Sequence, residues 1–169
     1  PANDGATHQC SEDYGIMCSI PNMTVVMPAD YNAARALVKE AAEFEGPVYL
    51  RFTRDAIPVI YDENQKFEIG KAVELRRGDD AAIIANGDTV CIALEAAEQL
   101  ESRGIHTTVL DMHTVKPLDT EAVTDCIDRC GVIVTVEDHN VINGMGSAVA
   151  AVVPAGKRRC VKETAMNGS

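Results

Sequence analysis

The feature that most constrains the fold is a regular alternation of short apolar runs with segments of helical periodicity. A short helix capped by Ser11 and reaching Ile20 comes first, and Thr24-Val-Val-Met27 is a β-branched run typical of a buried strand. Asp30 then caps a helix that repeats apolar residues through about residue 44, and the next strand occupies 47–52. A strand, a helix and a strand of these lengths predict a βαβ unit with parallel strands and a right-handed crossover.

The same alternation resumes in the second part of the chain. The sequence predicts an edge strand at 71–76, strands at 81–85, 105–111 and 132–136, and a last strand at 159–162. Helices are predicted from Asp88 or Thr89 to Ser102, from Asp119 to Cys130, and over 144–153. This order is typical of a compact, mostly parallel, doubly wound α/β domain. Periodicity is lost over 56–67, so the domain boundary is predicted near residue 65, giving units 1–65 and 66–169.

A polar cluster, Asp4-Gly-Ala-Thr-His-Gln9, lies at the start of the sequence. Glycine allows close approach of the backbone to a ligand, and Asp4 and His8 supply charge and a proton shuttle near neutral pH. The alternative is a solvated terminal tail. A site this close to a terminus leads us to expect a fragment, or one half of a split protein.

Arg54 is a second candidate, because Thr53-Arg54-Asp55 follows the strand at 47–52. Ligands of open α/β sheets bind beyond the carboxyl ends of the strands, where the planar fork of an arginine can hold a phosphate or carboxylate. The alternative is a surface arginine paired with Asp55.

Polar residues also follow the strand at 132–136, and Gly144-Met-Gly146 opens the next helix. Glycines at a helix start can admit a phosphate against the backbone amides, but a lone Gly-x-Gly more often marks a close helix–strand contact. The four histidines show no metal-ligand spacing, so no metal site is predicted. We interpret His113 and His139, which follow strands, as hydrogen-bonded loop residues.

Composition excludes several classes of function. The net charge of -11 argues against nucleic-acid binding, and there is neither a basic amphipathic helix nor a long apolar run to suggest a membrane protein. The six cysteines lack zinc or disulfide-framework spacing, and we expect reduced cysteines of a cytoplasmic protein, mostly in the core.

The motifs closely resemble the transketolase family over nearly the whole chain. The matching blocks are Asp4-Gly-Ala-Thr-His-Gln9, Ser19-Ile-Pro-Asn-Met-Thr-Val-Val-Met-Pro-Ala-Asp30, Gly46-Pro-Val-Tyr-Leu-Arg-Phe-Thr-Arg54, Phe67-Glu-Ile-Gly-Lys71, His113-Thr-Val-Lys-Pro-Leu-Asp119, Val134-Thr-Val-Glu-Asp-His-Asn140 and Gly144-Met-Gly-Ser-Ala-Val149. The resemblance is to the short C-terminal subunit of split bacterial or archaeal transketolases. Residues 154–169 match less well.

The resemblance implies the end of a pyrimidine-binding-type α/β domain followed by a transketolase C-terminal-type domain. It implies transfer of a two-carbon ketol unit between sugar phosphates with thiamine diphosphate and Mg²⁺. Asp4 would contact the substrate hydroxyl beside the carbonyl, and Arg54 would bind the sugar phosphate. His8 would contact substrate and cofactor as a hydrogen-bond donor or proton shuttle, the catalytic role.

The resemblance also implies what this chain lacks. The family's activating glutamate, its aromatic pocket and its diphosphate and magnesium site belong to other parts of the enzyme. We therefore expect the isolated chain to be inactive, to bind no cofactor alone, and to require an N-terminal transketolase section or subunit, with homo-oligomers formed as well. The alternatives are part of a deoxyxylulose-phosphate synthase-like enzyme, which shares the architecture with the β subunits of 2-oxo-acid dehydrogenases, and a non-catalytic dimerisation or docking module.

Overall fold

The computed structural model describes residues 10–154 and the backbone of 161–165. The helices are α1 (Asp13–Ser19), α2 (Tyr31–Glu43), α3 (Thr89–Glu101), α4 (Thr120–Arg129) and α5 (Met145–Val152). The strands are β1 (Thr24–Val26), β2 (Val48–Leu50), β3 (Val73–Arg76), β4 (Ala81–Ala85), β5 (Thr107–Asp111), β6 (Thr114–Lys116), β7 (Val132–Glu137) and β8 (Val161–Ala165).

The first sheet has the order β2-β1-β6. Strands β1 and β2 are parallel, with Val25 opposite Tyr49, and α2 connects them, which confirms the predicted βαβ unit. The Asp30 side chain caps α2 by accepting a hydrogen bond of 2.7 Å from the Ala33 amide, as its position before an apolar-periodic run indicated. Strand β6, which runs antiparallel to β1, was not predicted, because three residues are too few to show a period of two.

The second sheet has the order β3-β5-β4-β7-β8. Strand β3 is the antiparallel edge strand, and the other neighbouring pairs are parallel. Helix α3 packs on one face through Val90, Ala93 and Ala97, while α4 and α5 cover the other. This arrangement confirms a mostly parallel, doubly wound unit.

Three local predictions were wrong in detail. The N-cap position of α1 is Glu12 rather than Ser11, and its side chain makes no capping bond; the Ser11 hydroxyl instead donates to the Glu12 carboxylate at 3.0 Å. Asp88 occupies the N-cap position of α3, but its side chain does not cap the helix either. The last strand was predicted at 159–162; residues 159 and 160 lie outside the described residues, and the described strand continues beyond 162 to Ala165 because it pairs with β7 over Val161–Ala165.

Two apolar clusters, each with residues from both units, join the two sheets. Met27 belongs to the same buried cluster as Ile84 and Met112, and its amide donates to the His113 carbonyl at 2.7 Å. The end of β1 therefore lies against the ends of β4 and β5, so the carboxyl edge of the second sheet is covered by the first. Residues 51–72 between the units contain no helix or strand, and the boundary at 65 stays a prediction.

Candidate functional site

The predicted site residues are only partly within the described structure. Asp4 and His8 lie outside the described residues. Arg54 is exposed in the bend that follows β2, beyond the carboxyl end of the first sheet. The strand end thus presents an arginine to solvent where an α/β sheet offers its ligand site.

Arg51, which the sequence analysis did not select, is the centre of a polar network at the same strand end. Its Nε lies 3.0 Å from the Asp13 carboxylate, its Nη1 lies 3.3 Å from Asp138, and its Nη2 donates to the Cys10 carbonyl at 3.1 Å. Its guanidinium also lies 5.7 Å from the centroid of the Tyr14 ring, within cation–π range. Arg51 is committed to internal partners, and Arg54 is exposed. The signal that could have found it is its position at the end of β2.

A buried carboxylate occupies the N-terminus of α5. Glu137, at the end of β7, accepts hydrogen bonds from the amides of Met145 at 2.7 Å and Gly146 at 2.9 Å, and from the Tyr14 hydroxyl. A Cβ at position 144 would lie 2.7 Å from Glu137 Oε1, so Gly144 permits this close approach. The close helix–strand contact that a lone Gly-x-Gly favours is therefore confirmed, and the phosphate alternative is not, because the chain's own carboxylate fills the position that an anion would take.

His139 is a structural histidine, as predicted. Its Nε2 accepts from the Gly15 amide at 3.3 Å, so Nδ1 carries the proton and donates to the Asn140 carbonyl at 2.7 Å. Its ring lies 3.9 Å from the Tyr14 ring, centroid to centroid. Both ring nitrogens are engaged inside the protein, which leaves neither for a ligand.

A second buried polar group connects the segment between the two units to β5. Asp111 is fully buried and accepts a hydrogen bond of 2.7 Å from the Tyr61 hydroxyl, while the Tyr61 amide donates to Asp30 at 2.8 Å. Burial raises the pKa of the Asp111 carboxyl to about 7; the Tyr61 hydrogen bond acts in the opposite direction, and the Asp30 charge adds to the rise.

His113 is buried two residues further along the chain. Its ring lies edge-on to the Phe67 ring, with 5.4 Å between the ring centroids, and its Nδ1 lies 3.0 Å from the Thr114 hydroxyl. Burial lowers the pKa of His113 to about 4, against the opposing effects of the Lys71 main chain and the Asp119 carboxylate. The histidine is thus neutral and internal, and its contact with Thr114 agrees with its interpretation as a hydrogen-bonded loop residue.

Among the described residues, no group of three or more His, Cys, Asp or Glu side chains is arranged to hold a metal ion. No helix in the described part of the chain combines the length and apolar character needed to cross a membrane. The described cysteines are free, with Cys126 and Cys130 buried and Cys10 exposed.

The geometry defines the class of protein: an open α/β fold with an arginine beyond the end of a strand. Comparison with known proteins identifies the family. Residues 70–163 match the transketolase C-terminal domain, and residues 1–59 match the transketolase pyrimidine-binding domain. The chain belongs to the transketolase family.

Relatives match over most of this chain. A putative transketolase C-terminal section from Methanocaldococcus jannaschii is 44% identical over 152 residues, which cover 89% of this chain and 47% of that protein. A 6-deoxy-6-sulfo-D-fructose transketolase subunit from a Clostridium species is 46% identical over 147 residues, or 87% of this chain and 46% of the subunit. The chain spans about half the length of these curated relatives.

A solved structure agrees with this assignment. A split-gene transketolase, described as an inactive β4 tetramer, superposes with a TM-score of 0.85 and 46% sequence identity, covering 88% of this chain and 49% of that one. The relatives and the fold therefore point to the same section of the enzyme, the end of the pyrimidine-binding domain followed by the C-terminal domain.

Proposed function

We propose that this chain is part of the C-terminal section or subunit of a transketolase, which transfers a two-carbon ketol unit between sugar phosphates with thiamine diphosphate. The observation that carries the proposal is the order of the two family matches together with an exposed Arg54 after β2. Solved and curated relatives that are C-terminal sections or subunits support it.

Three residues of this chain have proposed roles at the substrate. Arg54 binds the sugar phosphate, for which its bidentate fork is suited. Asp4 accepts a hydrogen bond from the substrate hydroxyl beside the carbonyl. His8 donates a hydrogen bond to the reacting oxygen or moves its proton, and it contacts the cofactor.

Thiamine diphosphate supplies the reactive carbon for ketol transfer when it is bound. The described residues are better suited to lie beside thiamine diphosphate than to form its binding site. The carboxyl edge of the second sheet is filled by residues such as Met27, and the N-terminus of α5 is filled by Glu137. We propose that the N-terminal section supplies the diphosphate and Mg²⁺ sites, and that the isolated chain neither binds the cofactor nor turns over substrate.

The test combines the chain with an N-terminal transketolase section and measures ketol transfer from xylulose 5-phosphate to ribose 5-phosphate. We expect turnover by the pair and none by either part. An Arg54→Gln variant should raise KM for the sugar phosphates by about 10- to 100-fold, since hydrogen bonds between charged groups contribute about 1.5–3 kcal/mol. Arg35→Gln is the matched control, because Arg35 is also exposed and donates to the Glu63 carbonyl. An inactive pair, or equal effects of the two variants, would refute the proposal.

A sulfonated donor is the second candidate substrate, because of the 46% identity to the subunit named for 6-deoxy-6-sulfo-D-fructose. A sulfonate is an anion that Arg54 could bind in the same way as a phosphate. Comparing kcat/KM for the two donors decides between them. Formation of deoxyxylulose phosphate by the pair would favour the synthase-like alternative, and binding of the partner without any turnover would favour a docking module.

A further inference from the structure

The segment that carries Arg54 is not fixed by secondary structure. Strand β2 ends at Leu50, and a bend begins at Arg54 itself. The Arg51 amide donates to the Val26 carbonyl at 2.9 Å, which continues the pairing with β1 by one residue. Beyond that bond, no helix or strand forms before β3 begins at Val73. The position of Arg54 therefore depends on side-chain contacts.

Arg51 ties the start of this segment to both units. Within the first unit its Nε lies 3.0 Å from the Asp13 carboxylate, which also accepts a hydrogen bond of 2.8 Å from the Tyr49 hydroxyl. Its Nη2 donates to the Cys10 carbonyl at 3.1 Å. From the second unit, the Asp138 carboxylate lies 3.3 Å from both Nη1 and Nη2. The Arg51 side chain is only 16% exposed, so salt and water screen these pairs less than pairs on an open surface.

A second aspartate of the second unit contacts the residue next to Arg54. Asp88 occupies the N-cap position of α3, yet its side chain makes no capping bond. The Thr53 hydroxyl donates a hydrogen bond to this carboxylate. Burial raises the pKa of the Asp88 carboxyl, and the Asp138 charge adds to the rise. Arg51 and the Thr53 hydrogen bond hold the same pKa down, as expected for a carboxylate that lies beside both of them.

The two aspartates come from one edge of the second sheet. Strands β4 and β7 are parallel neighbours with Ala85 opposite Val136, so Asp88 and Asp138 both follow the carboxyl ends of these strands. Strand β4 is followed by its neighbour β5 on one side, and β7 by its neighbour β8 on the other. Such a switch point is where open α/β sheets bind ligands. In this chain it holds the segment that leads to Arg54.

We propose that Asp138 and Asp88 position Arg54 for the sugar phosphate. The inference rests on the proposed function, in which Arg54 binds that phosphate. Arg51 precedes Arg54 by three residues and Thr53 precedes it directly, so contacts that hold both side chains also restrict the main chain at position 54. A bidentate contact between a guanidinium and a phosphate depends on the alignment of the two groups, and a shift of about 1 Å weakens it. The second unit thus controls affinity for sugar phosphates although neither aspartate touches them.

The test uses the enzyme assembled from this chain and an N-terminal transketolase section. Asp138→Asn removes the charge that faces Arg51 but keeps an oxygen acceptor, and Asp88→Ala removes the acceptor of the Thr53 hydroxyl. Asp125→Asn is the matched control for Asp138→Asn. Both aspartates are partly exposed, with 41% and 52% of the side chain accessible for Asp138 and Asp125, and Asp125 likewise pairs with an arginine, Arg129, at 2.8 Å.

We expect Asp138→Asn and Asp88→Ala each to raise KM for xylulose 5-phosphate and ribose 5-phosphate by about 3- to 10-fold, with kcat within about twofold of native. The increase is smaller than that for Arg54→Gln, because the arginine itself is retained. Ketol transfer from erythrulose to ribose, neither of which carries a phosphate, should keep kcat/KM within about twofold of native. That second reaction reports folding and assembly. The Asp125→Asn control should match the native enzyme in both reactions.

A double variant tests whether the effect passes through Arg54. In the Arg54→Gln background, Asp138→Asn should raise KM for the sugar phosphates no further, since a positioning residue has nothing left to position. The same increase in both backgrounds would refute the positioning role, because Asp138 would then act independently of Arg54.

The remaining outcomes separate the two proposals. If the native assembly is active and either aspartate variant leaves KM for the sugar phosphates unchanged, the positioning role of that aspartate is refuted while the proposed function stands. An equal loss with the pair that lacks phosphate would also refute it, since the effect would then be general. A native assembly without ketol transfer overturns the proposed function and the positioning role together.

Discussion

Asp111 and His113 should make opposite contributions to the pH dependence of stability. The carboxyl pKa rises from its ordinary 3.8 to about 7 on folding, so between these values the folded chain holds a proton that the unfolded chain has lost. Stability from this group therefore falls as pH rises from 4 to 7. The imidazole pKa drops from 6.5 to about 4, so the unfolded chain holds the extra proton and stability is lost as pH falls from 6.5 to 4.

The magnitudes follow from 1.36 kcal/mol for each pH unit that separates folded and unfolded pKa values. They give about 4 kcal/mol for Asp111 and about 3 kcal/mol for His113, with opposite signs over the same pH range. In the native chain the two effects nearly cancel between pH 4 and 6.5. Each becomes visible only when the other is removed.

The assay is urea unfolding of the native chain, Asp111→Asn, His113→Gln and the double variant, at fixed protein concentration from pH 4 to 7.5. The asparagine retains an acceptor for the Tyr61 hydroxyl. The free energy of unfolding of Asp111→Asn, relative to that of the native chain, should rise by about 4 kcal/mol from pH 4 to 7. The free energy of unfolding of His113→Gln, on the same scale, should fall by about 3 kcal/mol from pH 4 to 6.5. The double variant should follow the sum. A difference for Asp111→Asn that does not change with pH would refute the reasoning, because the carboxyl would then titrate alike in both states.

Three further substitutions test the packing of the second unit by urea unfolding. Gly78→Ala should cost about 3 kcal/mol, because its Cβ would lie 2.5 Å from the His106 carbonyl oxygen and the Thr107 amide nitrogen, which are backbone atoms and cannot turn aside. Gly104→Ala should cost only about 1 kcal/mol, since φ is +77° but nothing lies within 4 Å; an equal cost at both glycines would contradict this account. Arg129→Met should lower the free energy of unfolding by about 2 kcal/mol, and by less at high salt. The reason is that the Arg129 guanidinium lies within 3.2 Å of the carboxylates of Glu74, Asp79 and Asp125. A loss that does not depend on salt would count against an ionic origin.

Long periodic segments were predictable from the sequence. Asp30 and Asp119 were identified as helix caps, and the structure shows them accepting from the amides of Ala33 and Ala122. These signals are local, since the capping residue and the amide it binds lie three positions apart. The strands β4, β5 and β7 were also found, because each contains a short run of apolar and β-branched residues between turn or helix signals.

Features that depend on distant partners were not predictable. Strand β6 exists because β1 offers it an edge, and nothing in Thr114-Val-Lys116 itself requires pairing. Arg51 and Arg54 are both arginines at one strand end, and only the fold shows that Asp13 and Asp138 engage the first of them. The glycines at 144 and 146 fit a phosphate and a buried glutamate equally well, and the choice is made by Glu137, which lies at the end of the preceding strand.

The shared core changes the meaning of the irregular segment between the two units. Strand β6 lies after this segment in sequence but completes the sheet that precedes it, and Met27 from the first unit fills the edge of the second. The segment therefore connects two units that already share a buried core, and it is not a hinge between them. Cutting the polypeptide within residues 62–66 would leave two pieces held together by this core. Producing either piece alone would expose the apolar surface that the other piece covers. In this sense the linker marks where two family domains join in sequence, while the unit that folds includes both.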